Sequence, residues 1–138
     1  MAGWRLEYTI DVDEDHSVVR VKIYGQWRRE TAESYHQDFR EEMEPLLGRP
    51  WAKMVDLSNW KTSRDEVTEV IGKHMKWSKA NDISLSIYVI NNPSTFRQLN
   101  EMFAKGGTKE VSHTFRTTEE AEKFLSENWY GKSRAHSR

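Results

Sequence analysis

The chain has 138 residues, no cysteine and a formal net charge of −1. One domain is the default reading at that length, and disulfides, thiolate metal sites and cysteine nucleophiles are excluded together. Apolar residues make up 36% and charged residues 31%, the balance of a small domain with a highly polar surface, and the near-neutral total supplies no global field to attract nucleic acid.

No stretch approaches the roughly 20 apolar residues a membrane helix needs. The first fifteen residues contain no apolar run of signal-peptide length. The expectation is a cytoplasmic, soluble protein without membrane insertion.

Trp4, Leu6, Tyr8, Ile10 and Val12 alternate with polar residues, and so do Val19, Val21 and Ile23. Period two argues half-buried strands, and the polar turn Asp13 to His16 joins them into an antiparallel hairpin ending at Gly25. A first helix is expected from Thr31, its candidate cap, with Tyr35, Phe39, Met43 and Leu46 on one face. Pro45 should fray its last turn, and Gly48 and Pro50 stop it.

The organising stretch follows. Ala52 to Leu57 reads as a short central strand covered on both faces, interrupted only by Lys53. Ser58 to Thr62 reads as a polar turn, and Ser63 to Glu66 as a capping box opening a second helix. Val67, Val70, Ile71, His74, Met75 and Trp77 form that helix's apolar face. Ile83, Leu85, Ile87 and Val89 mark the clearest strand. Asn91-Asn92-Pro93 turns into a third helix from Ser94, with Phe96, Leu99, Met102 and Phe103 inward and Gly106-Gly107 as its end. Val111, His113 and Phe115 suggest a last short strand. Thr117 to Glu120 is a second capping box, opening a helix that buries Ala121, Phe124 and Leu125. The residues from Gly131 onward are small, polar and basic and are expected to be a disordered tail.

The order β-β-α-β-α-β-α-β-α predicts a single α/β domain over residues 1–130. Its mixed sheet has about five strands, an N-terminal antiparallel hairpin followed by parallel strands joined by right-handed crossovers, and four helices.

Three local features, in this order, resemble the STAS superfamily, and most closely its SpoIIAA-like branch of small stand-alone bacterial proteins related to anti-anti-sigma factors. They are Gly25 followed by the helix start Glu30 to Tyr35, the Val55-Asp56-Leu57-Ser58 strand end, and Thr114-Phe115 before an acidic helix start. The element order matches from about residue 4 to residue 127. The resemblance implies a non-enzymatic regulatory or protein-interaction domain. In signalling members an Asp-Ser-Ser-Gly type turn follows the strand, and its serine is phosphorylated. Here Lys61-Thr62-Ser63-Arg64 stands in that place, without the acidic residue and the glycine.

Two candidate sites follow. Ser58, Thr62 and Ser63 are candidate phosphoacceptors: a phosphate there would face the free N–H groups of a helix start, with Lys61 and Arg64 to pair with it and Asp65 and Glu66 to repel it. The competing reading is that Ser63 only caps the helix. The second candidate is a partner surface, or a pocket for a small apolar or anionic ligand such as a lipid, beyond the carboxyl ends of the strands. It would comprise Asn59, Trp60, Lys61, Arg64, Asn91, Asn92 and Arg116, which could equally be turn residues. An exposed Trp60 would favour a protein partner, and a deep apolar cavity beneath the second and third helices would favour a ligand.

Among the six tryptophans, Trp4 and Trp77 are expected to pack, and Trp27 and Trp60 to be exposed in polar turns. His74 is expected to be packed on its helix face, and Asp56 to bind turn N–H groups. The five histidines show no zinc-type spacing, and no nucleophile elbow, phosphate loop or dinucleotide fingerprint occurs. The sequence therefore points to no catalytic residue, cofactor, metal or nucleic-acid partner. Homodimer formation through the first strand or a tryptophan face is compatible with the layout.

Overall fold

Five strands and four helices alternate along the chain in the computed structural model, which describes residues 7–130. The strands are β1 (Tyr8–Asp13), β2 (Val18–Gln26), β3 (Trp51–Lys61), β4 (Ile83–Val89) and β5 (Ser112–Phe115). The helices are α1 (Arg29–Glu42), α2 (Asp65–Ala80), α3 (Pro93–Gly106) and α4 (Thr118–Leu125). The sheet order is β1-β2-β3-β4-β5, with β1 and β2 antiparallel and every later pair parallel. The expected α/β class, the hairpin and the mixed sheet are all present. Trp4, Leu6 and the tail from Gly131 lie outside the described residues.

Alternation along the strands divides the core in two. Val19, Val21, Trp51, Val55, Leu57, Tyr88 and Ile90 face a layer made by α1, α2 and α3. Val18, Ala52, Met54, Leu85, Ile87 and Val89 face the opposite side, where Ala121 and Leu125 of α4 cover them. Met54 pairs with Arg20 on one side and Ile87 on the other, which places β3 in the middle of the sheet. Across the α4 face Arg20 donates to both carboxylate oxygens of Glu122, at 3.0 and 2.9 Å, and to the Tyr130 hydroxyl at 2.6 Å.

Several boundaries differ from the sequence reading. The first helix begins at Arg29, with Arg28 at its cap position. Thr31 is instead a buried interior residue whose hydroxyl donates to Glu7 Oε2. Pro45 falls in a separate 3-10 turn, Glu44–Leu46, because the helix has already ended at Glu42. Val111 sits in another 3-10 turn, Lys109–Val111, ahead of β5. Thr117 does cap α4, accepting from the Glu120 N–H at 3.2 Å.

Gly106 does more than precede the left-handed cap at Gly107, whose φ is +69°. A Cβ on Gly106 would lie 2.3 Å from Met75 Cβ, and one on Gly72 would lie 2.8 Å from Lys105 Cβ. The two glycines let α2 and α3 approach at backbone distance. Gly106→Ala should therefore force the helices apart and destabilise the fold by about 1–3 kcal/mol. Urea unfolding of the variant beside the wild type checks this, and an unchanged midpoint would show that the helices yield freely.

Candidate functional site

The parallel strands β2 to β5 all end at one rim, and the candidate residues gather along it. β3 does not stop there as expected. It runs to Lys61, and Tyr24, Gly25 and Gln26 pair with Asn59, Trp60 and Lys61. The ladder advances two residues on β2 while β3 advances three, so β3 bulges between Asp56 and Asn59. A bulge leaves one N–H out of the ladder. Asp56 Oδ1 accepts from the Ser58 N–H at 2.9 Å, which supplies the missing partner. The expected turn at Ser58 to Thr62 is thus mostly strand, carried four residues past the expected strand end at Leu57.

This changes what the segment presents. Ser58, Asn59, Lys61, Thr62 and Arg64 are exposed, whereas Trp60 is only 6% exposed and faces the core. Trp27 is buried as well, at 2%, with its indole N–H directed to the Glu7 and Tyr24 carbonyls. Both tryptophans belong to paired or closely packed backbone rather than to free turns, so neither is the solvent-facing anchor expected.

Ser63 is not the helix cap either. Arg64 occupies that position, without a side-chain bond, and the Ser63–Glu66 box does not form. Ser63 is instead buried. Its hydroxyl accepts from the Trp27 N–H at 3.0 Å and donates to the Lys61 carbonyl at 3.1 Å. Its backbone N–H donates to Gln98 Oε1 at 2.8 Å, and its carbonyl accepts from Gln98 Nε2 at 2.7 Å. Gln98 Nε2 also donates to the Thr68 hydroxyl at 3.0 Å. One serine and one glutamine therefore tie together the connection before α1, the connection before α2, and α3. The cost of the polar contacts explains a miss in α3. Thr95 and Gln98 share the buried face with Leu99, Met102 and Phe103, and Phe96, expected inward, is 40% exposed.

Phe96 instead borders an open groove of about 500 Å³ at the ends of β4 and β5. Asn91, Asn92 and Arg116 line it with Thr114, Phe115 and Glu120. Asn92 is committed to its helix, its Oδ1 accepting from the Ser94 and Thr95 N–H groups at 2.8 and 3.4 Å. The candidate surface thus divides into a polar ledge on the β3 extension and α2 start, and a groove made by α3, α4 and β5. None of the ledge residues lines the groove.

Beneath the helices the core holds a cavity of about 30 Å³, walled by Leu57, Trp60, Val67, Ile71, Leu99 and Met102 among others. That volume suits about one water molecule, not a lipid. Lys53 also lines it, 2% exposed, together with His74, 1% exposed. His74 is packed as expected, between Phe39, Tyr35 and Trp77. The Trp60 indole N–H has no hydrogen-bond partner in the structure. The polar cluster around Lys53 was not expected from the sequence, although a lone lysine within the apolar run of β3 was its visible trace. Among the described residues no three His, Cys, Asp or Glu side chains gather to hold a metal, and no helix is long and apolar enough to cross a membrane.

The topology and the helix placement define a SpoIIAA-like α/β fold. No family model matches the sequence, and no curated protein is similar to it. Solved structures are. An uncharacterized protein of the DUF3478 family from Shewanella loihica PV-4, itself described as SpoIIAA-like, superposes with a TM-score of 0.65 at 11% identity, over 91% of this chain and 98% of that one. The anti-sigma factor antagonist SpoIIAA in its unphosphorylated form gives 0.58 at 10% identity, over 88% and 98%. An anti-sigma factor antagonist from Mycobacterium paratuberculosis gives 0.56 at 18% identity, over 86% and 94%.

The Ser63–Gln98 contacts generate a direct test. Gln98→Leu keeps the side-chain bulk but leaves the buried Ser63 N–H without an acceptor, and should destabilise the fold by about 1–3 kcal/mol. Urea unfolding with an unchanged slope and a lower midpoint is the expected result. A wild-type midpoint would mean that another group serves Ser63.

Proposed function

We propose that this chain is a non-enzymatic regulatory domain of the STAS type, which binds a protein partner at the ledge formed by Ser58, Asn59, Lys61, Thr62 and Arg64. The observation that supports this reading is the exposure of five polar side chains on a segment whose backbone is held by β2 pairing and by the Ser63–Gln98 clamp. A preorganised polar surface loses little conformational freedom on binding. The fold is shared with two proteins named as anti-sigma factor antagonists, which agrees with a regulatory role.

Phosphorylation is the natural control of such a ledge. Of the three hydroxyls, Ser58 and Thr62 are exposed, while Ser63 is enclosed with its hydroxyl engaged. A phosphate on Thr62 would add about −1.5 to −2 charges at the start of α2, between Lys61 and Arg64. The acidic first turn, Asp65 and Glu66, would oppose it. Modification therefore acts as a switch on the partner's approach rather than as a support for the fold. Ser63 would take a phosphate only with loss of the bond its hydroxyl donates to the Lys61 carbonyl.

A second reading rests on the groove. Its volume of about 500 Å³, the exposed Phe96 and the cation of Arg116 suit a small ligand with an apolar part and an anionic group.

Pulldown from native cells should return one stoichiometric partner with the wild type, and at least about tenfold less with the charge-changing pair Asn59→Arg and Arg64→Glu. Peptide mapping of protein from those cells should show a phosphate mass shift on Ser58 or Thr62. Equal capture by the double variant would remove the ledge from the interface. If thermal shift responds to small acids or lipids, and Arg116→Ala abolishes the response, the groove reading prevails.

A further inference from the structure

Lys53 lies at the centre of the sheet on the face covered by three helices, and among the described residues its amine meets no carboxylate. Its Nζ is 3.5 Å from His74 Nε2. The other nitrogen of that ring, Nδ1, is 2.9 Å from Nδ1 of His36, which is half-buried on α1. A chain of nitrogen atoms thus runs from the solvent side of α1, across α2, to the middle strand.

Among the described residues the surroundings are basic or uncharged on every side. α1 contributes Tyr35, His36 and Arg40, and α2 contributes His74. β4 contributes Tyr88, whose ring centre is 5.7 Å from Nζ, and Ser86, the cross-strand partner of Lys53. β2 contributes Val19, the partner on the other side. From α3 come Leu99 and Met102, and from the end of β3 comes Trp60. The Phe39 ring centre is 5.5 Å from Nζ. A buried charge without a counter-ion is costly, and here a second positive charge would meet the first.

With both rings neutral, two proton arrangements satisfy the chain. In one, His36 Nδ1–H donates to His74 Nδ1, and His74 Nε2–H donates to the Lys53 lone pair. In the other, Lys53 donates to His74 Nε2, and His74 Nδ1–H donates to His36 Nδ1. We propose that Lys53, His74 and His36 form a proton-gated latch, in which a proton taken up at His36 is relayed to Lys53 and a second proton loosens α1 and α2 from the sheet. The relay balances as follows. A solvent proton binds His36 Nε2, the His36 Nδ1 proton moves to His74 Nδ1, and the His74 Nε2 proton moves to Lys53. The first arrangement becomes the second with one charge added at the amine. A further proton must then sit on an imidazole beside an ammonium, with no acidic group to offset it.

Burial lowers Lys53 from 10.5 to about 7. Burial first, then the Lys53 charge among basic neighbours, holds His74 well below its usual 6.5, and burial followed by the Arg40 charge lowers His36. All three are bases that bind protons less tightly when folded. The unfolded chain therefore carries more protons, and stability rises with pH. The Lys53 contribution grows between about 7 and 10.5, and the histidine contribution grows as the pH climbs through the acid range toward 6.5.

Urea unfolding of the full chain from about pH 5 to pH 10 tests the latch. In the wild type the unfolding constant should fall by up to about tenfold per pH unit above neutrality. Lys53→Met should remove that slope and raise Tm at pH 7 by about 5 °C. Hydrogen-exchange protection, taken relative to the intrinsic rate at each pH, should be lower at about pH 5 than at about pH 8 in α1 and α2 while α4 changes little, and His36→Gln should reduce the acid effect. A flat wild-type profile above neutrality, or the same slope in Lys53→Met, would overturn the proposal. If that variant does not fold, NMR titration of the Lys53 side chain in the wild type and in His36→Gln decides: an ordinary amine value near 10.5, or a lowered one that His36→Gln leaves unmoved, refutes the latch, and a lowered one that moves with His36→Gln upholds it.

Discussion

The rim of this protein depends on one residue that cannot turn outward. Ser63 spends its hydroxyl on Trp27 and Lys61, and both of its backbone polar groups on Gln98. Each of those groups is buried, and a buried polar group left unpaired costs as much as a sizeable fraction of net stability. The same contacts set where β2 ends, where α2 begins and how α3 lies across both. The ledge of exposed side chains on either side of Ser63 is therefore an outgrowth of the core's hydrogen bonding. Its shape does not rest on the ledge residues themselves.

Much of the architecture was legible in hydrophobic periodicity. The alternation from Ile83 to Val89 identified β4, and the glycine pair at 106 and 107 ended α3 where a left-handed residue stands. The site was less legible because strand pairing can override local turn chemistry. Ser58-Asn59-Trp60-Lys61 has the composition of a loop, yet β2 supplies a neighbour and Asp56 satisfies the bulge. Nothing within those four letters reveals a partner thirty-odd positions earlier. Trp27 and Trp60 were misplaced for the same reason: each sits among polar neighbours in sequence and among apolar ones in space. Phe96 was expected inward but stands outside, while Gln98, unmarked in the sequence, lies on the buried face and serves the Ser63 backbone.

The layers on the two faces of the sheet are held by different physics. The α4 side is closed by aromatic packing and by the Arg20–Glu122 pair, in which a guanidinium meets a carboxylate with matched geometry. The thicker side contains a lysine surrounded by aromatic, aliphatic and basic side chains. Such a residue is poor support for a core. Its retention beside a small cavity, with the Trp60 N–H unpaired, makes the α1–α2 layer the electrostatically strained half of the molecule.

The absence of side chains at Gly72 and Gly106 has a mechanical corollary. Helices whose main chains nearly touch cannot slide or rotate independently, since Met75 and Lys105 would collide with the opposing backbone. α2 and α3 are therefore interlocked where they cross, and a displacement of α2 carries the adjoining stretch of α3 with it.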